Sequence, residues 1–154
     1  MKRVRFRDPS GSVRAGEWVD ADGSPADTET AGAGGQIRFG GRSYDPEDVE
    51  VLPPSDPSKI VCIGRNYAKH ADERGEDVPD RPLLFLKGPN TVASHGSEIP
   101  LFADRTVEYE AELAVVIGEQ CRRVNAADAM NVVAGYTCMV DVSNRDDQSR
   151  EQNW

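Results

Sequence analysis

Lysine is scarce in this 154-residue chain. Lys2, Lys59, Lys69 and Lys87 are the only lysines among 18 cationic side chains, which face 27 Asp and Glu. A formal charge of −9 argues against nucleic acid as a partner, because a phosphate backbone is held by clustered Lys and Arg. The lysine-poor, aspartate-heavy balance is the bias of acidic, salt-adapted proteins. No run approaches the ~18 apolar residues of a membrane span. The N-terminus, Met1 to Asp8, alternates basic and apolar residues and has no apolar signal core. Cysteine is limited to Cys62, Cys121 and Cys138, without metal-site or redox spacing, so all three are expected as small buried hydrophobes in a reducing compartment. These absences predict a soluble cytoplasmic protein, with neither membrane nor nucleic acid as partner. The length excludes a barrel of TIM size and fits one ordinary domain with a small appendage.

What the chain does have is an acidic strand. Glu108-Tyr109-Glu110-Ala111-Glu112-Leu113-Ala114-Val115-Val116-Ile117-Gly118 ends in a β-branched, apolar run closed by glycine. Alternation along a strand puts Glu108, Glu110 and Glu112 on one face and Ala111, Leu113, Val115 and Ile117 on the other, which is expected to be buried. Stacked like charges oppose folding unless water or a hard cation compensates them. A solvated acidic edge strand is one solution, and a divalent ion held by oxygen ligands is the other.

Before that strand the chain reads as two parts. Val4, Phe6, Val13 and Trp18-Val19 suggest short antiparallel strands turned at Asp8-Pro9-Ser10-Gly11, with a second turn at Asp22-Gly23. A loop is expected over 20–35, a further hairpin through Gly40-Gly41, and an extended segment at Val49 to Leu52. Pro53-Pro54-Ser55-Asp56-Pro57 then reads as a stiff linker. The expected division is a β appendage over 1–54 and a second domain over 55–154.

In the second part, Lys59 to Gly64 and Leu83 to Lys87 read as buried strands, and Tyr67 to Glu73 as a helix closed near Gly75. A helix from Ala126 to about Val133, capped by Asn125, leads to a strand from Gly135 to Asp141. Ser143 with Asp146 suggests the cap of a last helix. If the two long strands are neighbours, Asp141 joins Glu110 and Glu112 as a third oxygen ligand, and the three carboxylates converge on one ion. His70 and Glu73 lie three apart on one helix face, the spacing of an imidazole oriented by a carboxylate for acid–base work, and equally of a surface pair. His95, in a Ser-His-Gly turn, is expected to be exposed.

Four ordered stretches carry a family resemblance over 59–154. They are Ile63-Gly64-Arg65-Asn66-Tyr67-Ala68-Lys69-His70-Ala71-Asp72-Glu73, Pro82-Leu83-Leu84-Phe85-Leu86-Lys87, Glu110 to Gly118, and Gly135-Tyr136-Thr137 through Asp141-Val142-Ser143-Asn144-Arg145-Asp146-Asp147-Gln148. Together they resemble the fumarylacetoacetate hydrolase family, in its acylpyruvase-like and 2-hydroxyhepta-2,4-diene-1,7-dioate isomerase-like branch. The resemblance implies an α+β, mostly β fold, the family's mixed β-roll. The family's domain continues past the position matching Trp154, so the amino-terminal part of the catalytic domain is expected here.

By position, the resemblance makes Glu110, Glu112 and Asp141 the metal ligands, with Glu108 a rim charge. It makes His70 and Glu73 the catalytic dyad, and places Arg65, Lys87, Arg145 and Gln148 near the substrate. The implied cofactor is Mg²⁺ or Mn²⁺, with Ca²⁺ the lesser alternative. The implied activity is divalent-metal-dependent hydrolysis of a carbon–carbon bond in a 2-oxo or 1,3-dicarbonyl acid. Isomerase, decarboxylase or hydratase chemistry on the same site, or a catalytically dead remnant, are the alternatives. A homodimer acting on a small 2-oxo acid is the implied assembly.

Overall fold

The computed structural model describes residues 1–24, 34–73, 75, 77–101 and 103–150, apart from the side chains of His70, Ala71, Glu73 and Ser149. The chain divides into two compact units, Met1–Asp56 with Val92–Ile99, and Pro57–Thr91 with Pro100–Trp154. Strand dominates, and among the described residues the helices are few and short. The loop expected over 20–35 falls largely on 25–33, outside the described residues.

The first unit is a five-stranded antiparallel sheet. Its strands are β1 (Lys2–Arg7), β2 (Val13–Val19), β3 (Gln36–Phe39), β4 (Arg42–Tyr44) and β5 (Glu50–Leu52), in the order β4-β3-β2-β1-β5. Alternation on β1 sends Val4 and Phe6 inward, where they meet Ile37 and are flanked by Trp18, Phe39, Tyr44 and Val51. Phe6 and Ile37 are fully buried, and the Phe6 ring lies 5.3 Å from that of Tyr44. Gly16 pairs with Val4 across the hairpin. A Cβ at Gly16 would stand 2.7 Å from the Arg38 carbonyl oxygen and 3.2 Å from both Phe6 and Ile37. Backbone cannot yield as a side-chain tip does, so Gly16→Val is expected to cost about 1–3 kcal/mol by overpacking, read as a lower urea midpoint.

The β1–β2 turn is built on one carboxylate. Asp8 Oδ1 accepts from the Ser10 and Ser12 backbone N–H groups at 2.9 and 3.0 Å and from the Ser10 hydroxyl, while Oδ2 accepts from Arg14 Nε at 3.0 Å. The Ser10 hydroxyl bond lowers its pKa most, burial opposes, and Arg14 and the two N–H groups lower it further, to about 2 from 3.8. A depressed carboxylate binds fewer protons folded than unfolded. Its stabilisation is therefore present above about pH 3.8 and is lost as pH falls through about 2. Asp8→Asn is expected to flatten the acid limb of the stability–pH curve in that window, measured by urea melts from pH 2 to 5 at fixed salt.

The second unit holds two hairpin-like pairs. β6 (Ile60–Gly64) pairs with β7 (Leu83–Lys87), and β8 (Val107–Ile117) with β9 (Val133–Asn144), both antiparallel. Short helices α1 (Ala68–Glu73) and α2 (Arg145–Arg150) follow β6 and β9. Gly75, at φ +64°, donates its N–H to the Asp72 carbonyl at 3.0 Å, the left-handed closure expected after α1.

The structure departs from several of the sequence expectations. The Ala126–Val132 segment is a 3₁₀ helix without a side-chain cap from Asn125. The cap of α2 is Asn144, whose Oδ1 accepts from the Asp146 and Asp147 N–H groups, while Ser143 donates to Asp141 instead. Finally, the apolar face of β8 is open: Leu113, Val115 and Ile117 are 49–61% exposed, with Tyr136 and Val140 of β9 beside them. In a two-stranded sheet one face can be covered while the other is left in water, and here the covered face is the acidic one. The same geometry exposes Cys138, and Cys121 is exposed in the connection to β9, so Cys62 alone of the three cysteines is buried.

Candidate active site

Register places the acidic residues. Glu110 of β8 lies directly opposite Asp141 of β9, so the two side chains share a face, and Glu108 and Glu112 are the diagonal neighbours on that face. Opposed Cβ atoms in an antiparallel pair stand about 4.5–5.5 Å apart and diagonal ones about 7–8 Å, within reach of a shared ligand. Burial then separates the roles. Asp141 is only 6% exposed, Glu110 and Glu112 are half-buried, and Glu108 stands at the rim.

Positive charge comes to this face from two directions. Lys87, the last residue of β7, places its ammonium against Asp141 Oδ1 and donates to the Val142 carbonyl at 3.2 Å. Arg145, the first residue of α2, spreads its guanidinium across three partners. Its Nε meets Glu108 at 2.7 Å, Nη2 meets Glu110 at 2.6 Å, and Nη1 donates to Gln148 Oε1 at 2.8 Å. Burial disfavours the charge on Arg145, but the hydrogen bonds to Glu108 and Glu110 outweigh it and hold the guanidinium above its usual pKa. α2 is registered on β8 by Arg145 N–H donating to the Thr106 carbonyl at 2.8 Å and Thr106 N–H donating to Asp146 at 2.6 Å.

Cys62 of β6 is a neighbour that the sequence did not point to. Burial pushes its thiol pKa up, the charges of Asp141 and Glu112 push it further, and Lys87 opposes them. Both effects favour the neutral thiol, which lines the site as a buried side chain. Only its position inside an apolar strand run was legible beforehand.

Arg65 sits in the turn after β6, exposed, with φ +54°. His70 and Glu73 lie on α1, and their side chains fall outside the described part of the structure. His95 is exposed.

Three hard oxygen donors on one face, placed by strand register and already compensated by cations, are a donor set for a divalent ion such as Mg²⁺ or Mn²⁺. Glu110, Glu112 and Asp141 fit it in chemistry and share one face of the strand pair. Among the described residues, however, no three His, Cys, Asp or Glu side chains stand close enough to hold an ion in their present rotamers. Lys87 draws Asp141 toward β7, and Arg145 draws Glu110 toward α2. The shared face is present, and convergence on one point requires those two carboxylates to turn.

The model of the fumarylacetoacetate (FAA) hydrolase C-terminal family matches residues 59–154. The chain is 40% identical over 122 residues to oxaloacetate tautomerase YisK of Bacillus subtilis, covering 75% of this chain and 40% of that protein. It is 47% identical over 90 residues to the mitochondrial oxaloacetate tautomerase FAHD1 of Bos taurus, covering 58% and 41%. The crystal structure of 2-hydroxyhepta-2,4-diene-1,7-dioate isomerase from Mycobacterium marinum superposes with a TM-score of 0.78 at 32% identity, over 100% of this chain and 59% of that one. The chain spans less than half the length of these curated relatives. The family match covers well over half of the chain, which therefore belongs to the fumarylacetoacetate hydrolase family, a family of enzymes that generally use a divalent metal.

Proposed function

We propose that the Glu110, Glu112, Asp141 face is the metal-binding centre of a divalent-metal-dependent enzyme acting on a small 2-oxo acid, and that its reaction is proton transfer beside the 2-oxo group. The observation that carries this reading is the cross-strand pairing of Glu110 with Asp141, flanked by the cations Lys87 and Arg145. The relatives named for tautomerisation and isomerisation favour proton transfer over carbon–carbon hydrolysis, which the same apparatus could support.

In a keto–enol exchange, one proton leaves the carbon next to the oxo group and one arrives at the oxo oxygen, with no net redox change. A divalent cation held by Glu110, Glu112 and Asp141 would supply Lewis acidity to the 2-oxo group. His70, oriented by Glu73, carries the proton to or from carbon, and the proton at the oxo oxygen is exchanged with water. Lys87 and Arg145 supply the counter-charge for the substrate carboxylate, Arg145 through a planar fork suited to two oxygens. Residues 55–154 form the catalytic part in this reading, and 1–54 an appendage.

The test is a panel run on the Mn²⁺-loaded chain: enol-oxaloacetate ketonisation followed by ultraviolet absorbance, set against acylpyruvate and fumarylpyruvate hydrolysis. Faster ketonisation that EDTA abolishes is the expected result. Hydrolysis without ketonisation would replace it with the hydrolase reading. Mn²⁺-independent behaviour throughout would remove the metal site.

A further inference from the structure

We propose that Lys87 is the resident counter-cation of Asp141 and surrenders that place when a divalent cation binds, its freed ammonium then turning to the substrate's anion. This rests on the reading of Glu110, Glu112 and Asp141 as the metal ligands. It adds a switch between two cations that share one carboxylate.

Asp141 is the most buried acid of the site, and a carboxylate withdrawn from water needs a positive partner. Lys87 supplies it from another sheet, reaching in from the end of β7, and is itself only 20% exposed. Apart from Asp141, its ammonium has the Val142 carbonyl as a partner. The ammonium is a compact charge on a flexible four-carbon stem, so it can leave without disturbing β7.

Arg145 is held differently. Glu108 and Gln148 grip two edges of its guanidinium, so Glu110 can turn away while Arg145 stays docked. This gives Glu108, the acid that register leaves at the rim, a positioning role. A divalent ion seated about 2.0–2.6 Å from the Asp141 and Glu110 oxygens would lie within a few ångströms of an ammonium still touching Asp141. At such distances, out of bulk water, like charges repel strongly, and the mobile one moves.

The experiment measures Mn²⁺ binding calorimetrically in the wild-type chain, Lys87→Met and Lys87→Arg, alongside metal-free melting. Removing the competitor should tighten Mn²⁺ binding by about tenfold or more in Lys87→Met, the equivalent of one charge contact weakened by partial exposure. Its metal-free form should melt lower, and Lys87→Arg should stay near wild type. In wild type, amine labelling read by peptide mass should rise at Lys87 on Mn²⁺ saturation and stay constant at exposed Lys59. A folded Lys87→Met that binds Mn²⁺ no more tightly than wild type, or Lys87 labelling unmoved by saturating Mn²⁺, overturns the switch and leaves the metal site standing. The labelling arm decides alone if Lys87→Met does not fold. Absence of Mn²⁺ binding in every chain overturns both readings.

Discussion

Glu110→Gln is expected to weaken Mn²⁺ binding by more than about 100-fold at little cost to the fold, whereas Asp141→Asn should lose both the ion and stability. Loss of an outer-shell partner alone costs about 10–100-fold in metal affinity, so loss of a direct oxygen ligand should exceed that. The two residues face each other across one register position, yet their settings differ. Glu110 is 31% exposed and its ion pair with Arg145 is partly solvated, so its contribution to stability is small, about 0–1 kcal/mol. Asp141 is 6% exposed against an ammonium at 20%. Removing one partner of a buried pair costs about 3–5 kcal/mol, with the lower end expected here because the lysine stem can carry its charge outward. Mn²⁺ calorimetry with urea denaturation of the metal-free chains separates the two effects. An Asp141→Asn chain as stable as wild type would show that Lys87 does not depend on it.

How far the sequence could be read is decided by the range of the interaction at stake. Apolar runs are local, and they located β7 at Leu83–Lys87 and β8 within one residue of its observed bounds, although Leu84 and Leu86 of β7, read as buried, are exposed. Period-two alternation put Glu108, Glu110 and Glu112 on one face. The partner of β8 required register, which Glu110 opposite Asp141 supplies and spacing alone did not. The apolar face of β8 was read as buried because alternation reports that two faces differ without reporting which is covered. Asn144 displaced Ser143 as the cap of α2 because the two are adjacent and both competent, so the choice turns on where β9 ends. Lys87 was assigned to the substrate through family resemblance. Its contact with Asp141 joins residues 54 positions apart on different sheets, and no local pattern records such a meeting.

The remaining large effect concerns His70. Replacing it by Ala is expected to lower turnover of the Mn²⁺-loaded enzyme by about 10²–10⁴-fold, the usual share of general acid–base assistance, while Mn²⁺ affinity stays within about twofold. The separation follows from the residues' places in the chain: the proposed ligands lie on β8 and β9, and His70 lies on α1, three residues before Glu73 on the same helix face. Glu73→Gln keeps the shape and a hydrogen-bonding group but removes the charge proposed to orient the imidazole, so an intermediate loss is expected. A short helix of this kind owes little of its stability to propensity, since six residues fall well below the ~12–15 needed for an isolated helix. The pair's geometry must therefore be set by what α1 docks against when substrate is bound. Single-turnover rates and Mn²⁺ calorimetry on His70→Ala, Glu73→Gln and the double variant distinguish the roles. If the two act as a unit, the double variant should be no slower than His70→Ala alone. Wild-type turnover in His70→Ala would reduce His70 and Glu73 to a helix-surface pair and move the proton-transfer role to another residue.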